Sequence, residues 1–442
     1  MNRALGLLSF IVLLGLACKS ASAAPGDLLV TFQGPDSPAP YPRAAGDEFG
    51  VSVAPMGNNV LIGADQHNRS GSHPGVAYLY DGSIPITPPV VRSNPLRTLP
   101  DDPVIALSNG DHFGDSVGAV GNNIVVGAGQ EFNGGSGFAY LTTVGKIPET
   151  PPIVLPPQPG DWFGYSVAPV GNNFVVGAQY ADAGGAAYLF DGAPGAGDWL
   201  RTIQKPGHVA GDRFGTSVAG LGNNVLVGAV GDATSGTKAG AAYLFDSSNG
   251  NLMQTFLPPP GTAELNEFFG FRVAGAGNKV IVGAPYKDAG ATDAGAAYVF
   301  DASTGALLDT ILNPTPAANE VFGYSVAANG NYFLIGARLD MVGGIAAGAV
   351  YLYDASGTQL LRIPNPNPHN GDVFGESVAF LGNNILVGAS SGDTTSGDTT
   401  VADSGVAYLF QGVPEPSTLV LLGAGAVSLL AYAWRRWRRA GS

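Results

Sequence analysis

The 442 residues include 66 glycines and 33 prolines, with 45% hydrophobic and only 12% charged side chains, enough apolar material for a large core but too much punctuation for long helices. Thirty-four acidic residues against twenty basic ones give a formal net charge of −14, the wrong field for a nucleic-acid phosphate backbone, which is excluded as a partner. The single cysteine, Cys18, excludes a disulfide framework.

Residues 1–23 read as a secretory signal peptide. Arg3 is the charged region, Leu5 to Leu16 the apolar region and Ala21-Ser22-Ala23 the small-residue cleavage site, so the exported chain starts at Ala24 or Pro25. Cys18 falls inside this segment. Lipidation there is the lesser reading, because Leu16 is one position off the lipoprotein pattern.

Residues 24–412 hold one unit seven times over. Each opens on a Phe-Gly pair: Phe49-Gly50, Phe113-Gly114, Phe163-Gly164, Phe214-Gly215, Phe269-Gly270, Phe322-Gly323 and Phe374-Gly375. The phenylalanines are 64, 50, 51, 55, 53 and 52 residues apart, a period that predicts propeller blades. The fourth unit shows the plan. Phe214 to Ala219 is a first strand, Gly222-Asn223-Asn224 a tight hairpin and Val225 to Ala229 the return strand. A Gly/Asp/Ser-rich loop then leads to Ala241 to Asp246, and after the Ser247 to Gly250 turn Leu252 to Phe256 is the fourth strand.

Fourth strands are expected after units one to six, among them Leu96 to Leu99 and Ile153 to Leu155, whereas unit seven runs from Tyr408-Leu409-Phe410 straight into the tail. Leu28-Leu29-Val30-Thr31-Phe32 supplies the missing strand. The fold expected is an all-β seven-bladed β-propeller closed by its N-terminal strand. The proline-rich insert from Ser83 to Ser108 makes unit one the longest, and an interaction surface covering a face or edge is expected of it.

Residues 413–442 form a tail. Pro414-Glu415-Pro416 precedes an uncharged stretch ending at Trp434, then Arg435, Arg436, Trp437, Arg438 and Arg439. As a helix, Thr418 to Trp434 would span roughly 25 Å, enough for a bilayer with Trp and Arg at the membrane flank and the arginines cytoplasmic. This order of parts resembles the PEP-CTERM sorting signal of exported bacterial proteins. The resemblance implies an exosortase-type partner that recognises Pro414, Glu415 and Pro416, with membrane anchoring before processing and release to the cell surface or extracellular matrix.

The seven units resemble FG-GAP repeats, the blades of the integrin α-subunit propeller, in Phe214-Gly215 with Gly228-Ala229 and in Phe269-Gly270 with Gly283-Ala284-Pro285. That resemblance covers residues 28–412. Integrin-like blades carry aspartate-rich calcium loops between these two strands, where this chain has Gly57-Asn58-Asn59, Gly121-Asn122-Asn123 and Gly382-Asn383-Asn384. No metal ligand is carried over.

Carboxylates gather elsewhere. Asp232, Asp288, Asp293, Asp340, Asp393, Asp398 and Asp403 lie in the loops after the second strands, and a solvated acidic loop is preferred to a cation or sugar site because no spacing matches a calcium loop. Asp47, Asp111, Asp161, Asp212 and Asp372 each precede a repeat phenylalanine by two, the place of a turn cap. Gly114-Asp115-Ser116-Val117-Gly118 spells a nucleophile elbow without its strand-to-helix context, and Ser116 recurs as Ser52, Ser166, Ser217, Ser325 and Ser377, which marks packing or hydrogen bonding. The histidines, His67, His73, His112, His208 and His369, are scattered and read as solvent-facing loop residues.

Without residues 1–23 and 417–442 the body has 14 basic against 34 acidic side chains, a net charge near −20 that repels strongly anionic polysaccharides unless cations bridge them. A non-enzymatic binding or adhesion scaffold is expected, with a surface polysaccharide or protein as ligand and no cofactor. The alternative is a secreted hydrolase or lyase with a central-channel site. It would need His, Asp, Glu or Arg from several blades at inner-strand positions, which read mostly as Val, Ala and Gly.

Overall fold

The computed structural model describes residues 23–35, 44–65, 75–84, 89–99, 110–129, 137–144, 161–193, 197–235, 238–396, 399–401 and 404–413. Seven antiparallel sheets are arranged around one axis, and the inner strand of each packs against the inner strand of the next until blade 7 meets blade 1. Blade 4 is representative, with strands Phe214–Leu221, Asn224–Ala229, Ala241–Asp246 and Leu252–Phe256 from axis to rim. Blade 2 shows three strands among the described residues; its expected fourth strand at Ile153 to Leu155 lies outside them, as do the signal peptide and the tail from Pro414 onward. Among the described residues no helix is long and apolar enough to cross a membrane.

The Phe-Gly and Gly-Ala pairs of the repeat are the two halves of each blade junction. Gly114 has φ +103, and a Cβ on it would lie 2.5 Å from the Val76 carbonyl of blade 1. A Cβ on Gly63 of blade 1 would lie only 1.9 Å from the Gly114 carbonyl. Backbones this close admit no side chain, so the signature encodes contact between neighbouring blades. The phenylalanine fills the space beside that contact: Phe214 is fully buried with its ring centroid 5.9 Å from Tyr243 and 5.7 Å from Phe245. Each such ring contributes about 1.5–3 kcal/mol by burial alone.

The ring closes where the sequence places the closure. Leu28–Phe32 pairs antiparallel with Val406–Phe410 and completes blade 7, whose other strands are Ser377–Leu381 and Asn384–Ala389. The insert between the third strand of blade 1, Val76–Asp81, and its fourth, Arg97–Leu99, adds one strand more. Val90–Arg92 pairs parallel with Leu28–Phe32 at the outer edge of blade 7, and Arg92 is tied back to Asp81 at 2.8 Å. The described part of the insert therefore covers the seam within the molecule.

Candidate functional site

Each inner strand runs from the axial end that carries the Phe-Gly pairs toward a two-residue hairpin. Gly57, at φ +58, takes the first place of one such hairpin, as a type II′ turn requires. The ring face at that end holds these hairpins together with the turns from third to fourth strand, such as Ser247 to Gly250, and the insert that leaves blade 1 after Asp81 beside Asn58. The opposite face carries the connections into each inner strand and the long loops after each second strand.

On that second face the axis opens into a cavity of about 160 Å³, lined by all seven blades. The inner-strand residue immediately after Phe-Gly differs from blade to blade. It is Asp115 in blade 2 and Glu376 in blade 7, Tyr165, Phe271 and Tyr324 in blades 3, 5 and 6, and Val51 and Thr216 in the other two. The sequence reading treated inner-strand positions as Val, Ala and Gly; that holds for the second and third residues beyond this one, Val and then Ala or Gly in every blade, whereas this register position is chemically varied, and Val51, Asp115, Tyr165, Thr216 and Glu376 line the cavity from it.

The mouth is polarised. Blades 7, 1 and 2 form an acidic side. Glu48, at φ +57, hydrogen bonds to Asp65 and carries Asp65, Glu376 and Asp115 as electrostatic neighbours. Burial, reinforced by those three carboxylates, raises Glu48 to about 9, so it stays protonated at neutral pH. Asp65 also takes the Nδ1 of His112 at 3.1 Å. His112 is buried, which corrects the solvent-facing expectation for it.

Blades 3 to 6 form an aromatic and cationic side. Trp162 meets Tyr180 edge-on at 4.6 Å, and Phe271 meets Tyr324 at 4.8 Å. The guanidinium of Arg338 lies 3.8 Å over the Tyr324 ring and pairs with Glu376 at 3.0 Å, joining the two sides. Arg272 lies over Phe271 at 4.6 Å. Burial drives the Tyr324 hydroxyl above its ordinary range, so it is a neutral donor at the mouth.

Below the mouth runs a belt of serines. Ser52, Ser116, Ser166, Ser325 and Ser377 donate from Oγ to the carbonyls of Gly114, Gly164, Gly215, Gly375 and Gly50, each in the following blade, at 2.6 to 3.0 Å. Ser217 instead accepts from the Val273 N–H at 3.1 Å. The nucleophile-elbow spelling at Ser116 is one link of this belt.

The acidic loops divide. Asp232 and Asp340 are not solvated: both are buried, Asp232 holding Lys205 and the Tyr243 hydroxyl, Asp340 holding Arg362 at 2.9 Å and the Tyr351 hydroxyl. Burial alone would raise the Asp232 carboxyl, but hydrogen bonds from Lys205, Thr234 and Tyr243 outweigh it and hold it below the ordinary carboxylate range. Asp288 is exposed and Asp293 half-buried, while Asp398 and Asp403 lie outside the described residues. The turn-cap reading of the aspartates before each phenylalanine is seen in Asp212 and Asp372, which accept from the backbone N–H of Val209 at 2.7 Å and of His369 at 2.6 Å. Glu320 does the same from Ala317 in blade 6, where the sequence search for aspartate had missed it. Among the described residues no group of three or more His, Cys, Asp or Glu is arranged to hold a metal ion.

A model of the FG-GAP repeat matches residues 42–80, 157–190, 203–245, 260–300, 310–353 and 362–410, more than half of the chain. The segment with blade 2 lies between those matches and still builds the same three strands. A model of the PEP-CTERM protein-sorting motif matches residues 412–439. No curated protein matches the chain.

Proposed function

Since the chain belongs to the FG-GAP repeat family and ends in a PEP-CTERM protein-sorting motif, we propose that it is an exported, exosortase-sorted surface or matrix protein. In this reading it binds its ligand non-enzymatically at the axial mouth of the propeller. The observation that carries the binding site is the convergence of Val51, Asp115, Tyr165, Thr216 and Glu376, five different side chains at one register position, on a single cavity, together with Arg272 where the other blades have serine. The Val and the Ala or Gly that follow are kept in every blade, so the packing of the scaffold does not call for this variation, and side chains that differ where they meet in a cavity fit a ligand rather than a core. The cavity is far smaller than the 300–1,000 Å³ or so of drug-sized sites, which fits the end of a chain or one ring rather than an oligomer.

The test is saturable binding of the full-length protein to the surface polysaccharide and surface proteins of its source cell, with calcium and with chelator. Glu376→Gln and Tyr165→Ala, both in the cavity lining, are expected to weaken it at least tenfold. Binding that both variants leave intact would move the site elsewhere on the molecule.

One observation favours a second reading, a hydrolase or lyase working in the channel. Glu48 holds a proton at neutral pH close to Asp115 and Glu376, the pairing of an acid with carboxylates that acid–base chemistry uses. Turnover of the bound glycan, abolished by Glu48→Gln, would establish that reading.

A further inference from the structure

We propose that the axial cavity binds a single uronate unit at the end of an otherwise neutral glycan, with Arg272 pairing its carboxylate; this deepens the binding site proposed above and rests on it. Arg272 stands where the other six blades have the belt serine, and it is part of the cavity lining. Among the described residues it makes no ion pair: its Nη1 donates to the Phe271 carbonyl at 3.0 Å and its guanidinium rests on the Phe271 ring. Five N–H donors with one such bond leave a fork open for a carboxylate. Arg338, over the Tyr324 ring, already spends its charge on Glu376.

The rest of the mouth selects a sugar over other carboxylates. Tyr165 lines the cavity and is half-buried, with ring surface left for the apolar face of a pyranose. The belt hydroxyls of Ser52, Ser116, Ser166, Ser325 and Ser377 line the cavity with their protons already given to glycine carbonyls, so toward the axis they accept, and acceptors call for hydroxyl donors on the ligand. A simple carboxylate without hydroxyls brings them no donor. At about 160 Å³ the cavity takes about one ring. The body charge near −20 repels a long polyuronate, so the unit recognised is a single anionic ring on a neutral chain.

The experiment titrates full-length protein, purified in detergent, with methyl β-glucuronide, with its neutral counterpart methyl β-glucoside, and with glutarate as a carboxylate without a ring. Wild type is expected to bind the glucuronide at least tenfold more tightly than either of the others, and less tightly as salt is raised. Arg272→Ser gives blade 5 the residue of the other six blades; it is expected to melt at the wild-type temperature and to lose at least tenfold in glucuronide affinity, while Arg272→Lys keeps part of it. Equal binding of glucuronide and glucoside, unchanged by Arg272→Ser, would refute the uronate assignment and leave a neutral-sugar site in place. Glutarate binding as tightly as the glucuronide would replace the sugar with a simple carboxylate. If none of the three binds, the assignment is wrong, and the Glu376→Gln and Tyr165→Ala measurements then decide separately whether the cavity is the binding site at all.

Discussion

Glu48 gives the sharpest quantitative test of the mouth. Its carboxyl titrates from an ordinary 4.5 in the unfolded chain to about 9 in the ring, through burial first and then Asp65, Glu376 and Asp115. Between those values the folded protein holds a proton that the unfolded chain has released. Stability conferred by the protonated carboxyl is therefore complete below pH 4.5 and is lost as pH rises toward 9. From pH 5.5 to 7.5 the whole interval lies inside this window, and two pH units at 1.36 kcal/mol each amount to about 3 kcal/mol. Glu48→Gln keeps a hydrogen-bond donor for Asp65 and does not titrate. Urea unfolding of the two proteins at pH 5.5 and 7.5 should show the variant gaining on wild type across the interval, by up to about 3 kcal/mol. A gap that stays within about 0.5 kcal/mol at the two pH values would refute the proton assignment to Glu48.

Other perturbations test the ring. Phe32→Ala removes a fully buried ring from the closing strand and should cost about 3–5 kcal/mol; a melting temperature equal to wild type would mean that the seam does not hold the fold. Gly114→Ala forces a Cβ to 2.5 Å from the Val76 carbonyl at φ +103 and should cost at least about 2 kcal/mol, read by thermal unfolding. Ser116→Ala deletes one belt bond, for about 1 kcal/mol, and should leave any hydrolase activity of the protein untouched. Replacing Pro414, Glu415 and Pro416 with alanine should trap the protein in the membrane fraction, as cell fractionation and immunoblotting would show.

Sequence periodicity predicted the blades because every blade solves the same packing problem with the same residues, and the strand missing after Phe410 betrayed the seam. The site was less legible. Asp115, Tyr165, Thr216 and Glu376 share a register position but no residue type, so nothing in the repeat marks them as neighbours until the ring brings them to one axis. Asp232 and Asp340 misled for a related reason. Their acidic, glycine-rich loops look solvated, yet each carboxylate finds its cation on the outer strand of a blade, Lys205 beyond Trp199–Ile203 and Arg362 within Gln359–Pro364. The partner of Val90–Arg92 was equally hidden, because a parallel pairing with a strand some sixty residues upstream leaves no local pattern.

The seam also fixes a direction. Leu28 pairs with Phe410, and Gly26 and Asp27 bond to Gln411, so both chain ends leave the ring together, at the low end of blade 7 on the side of the short hairpins. The cavity opens on the other side. The chain therefore leaves the ring at Val413 on the face opposite the polarised mouth. A cut at residues 414–416 would free the disc with its clasp still fastened, since every strand of the seam ends before Pro414.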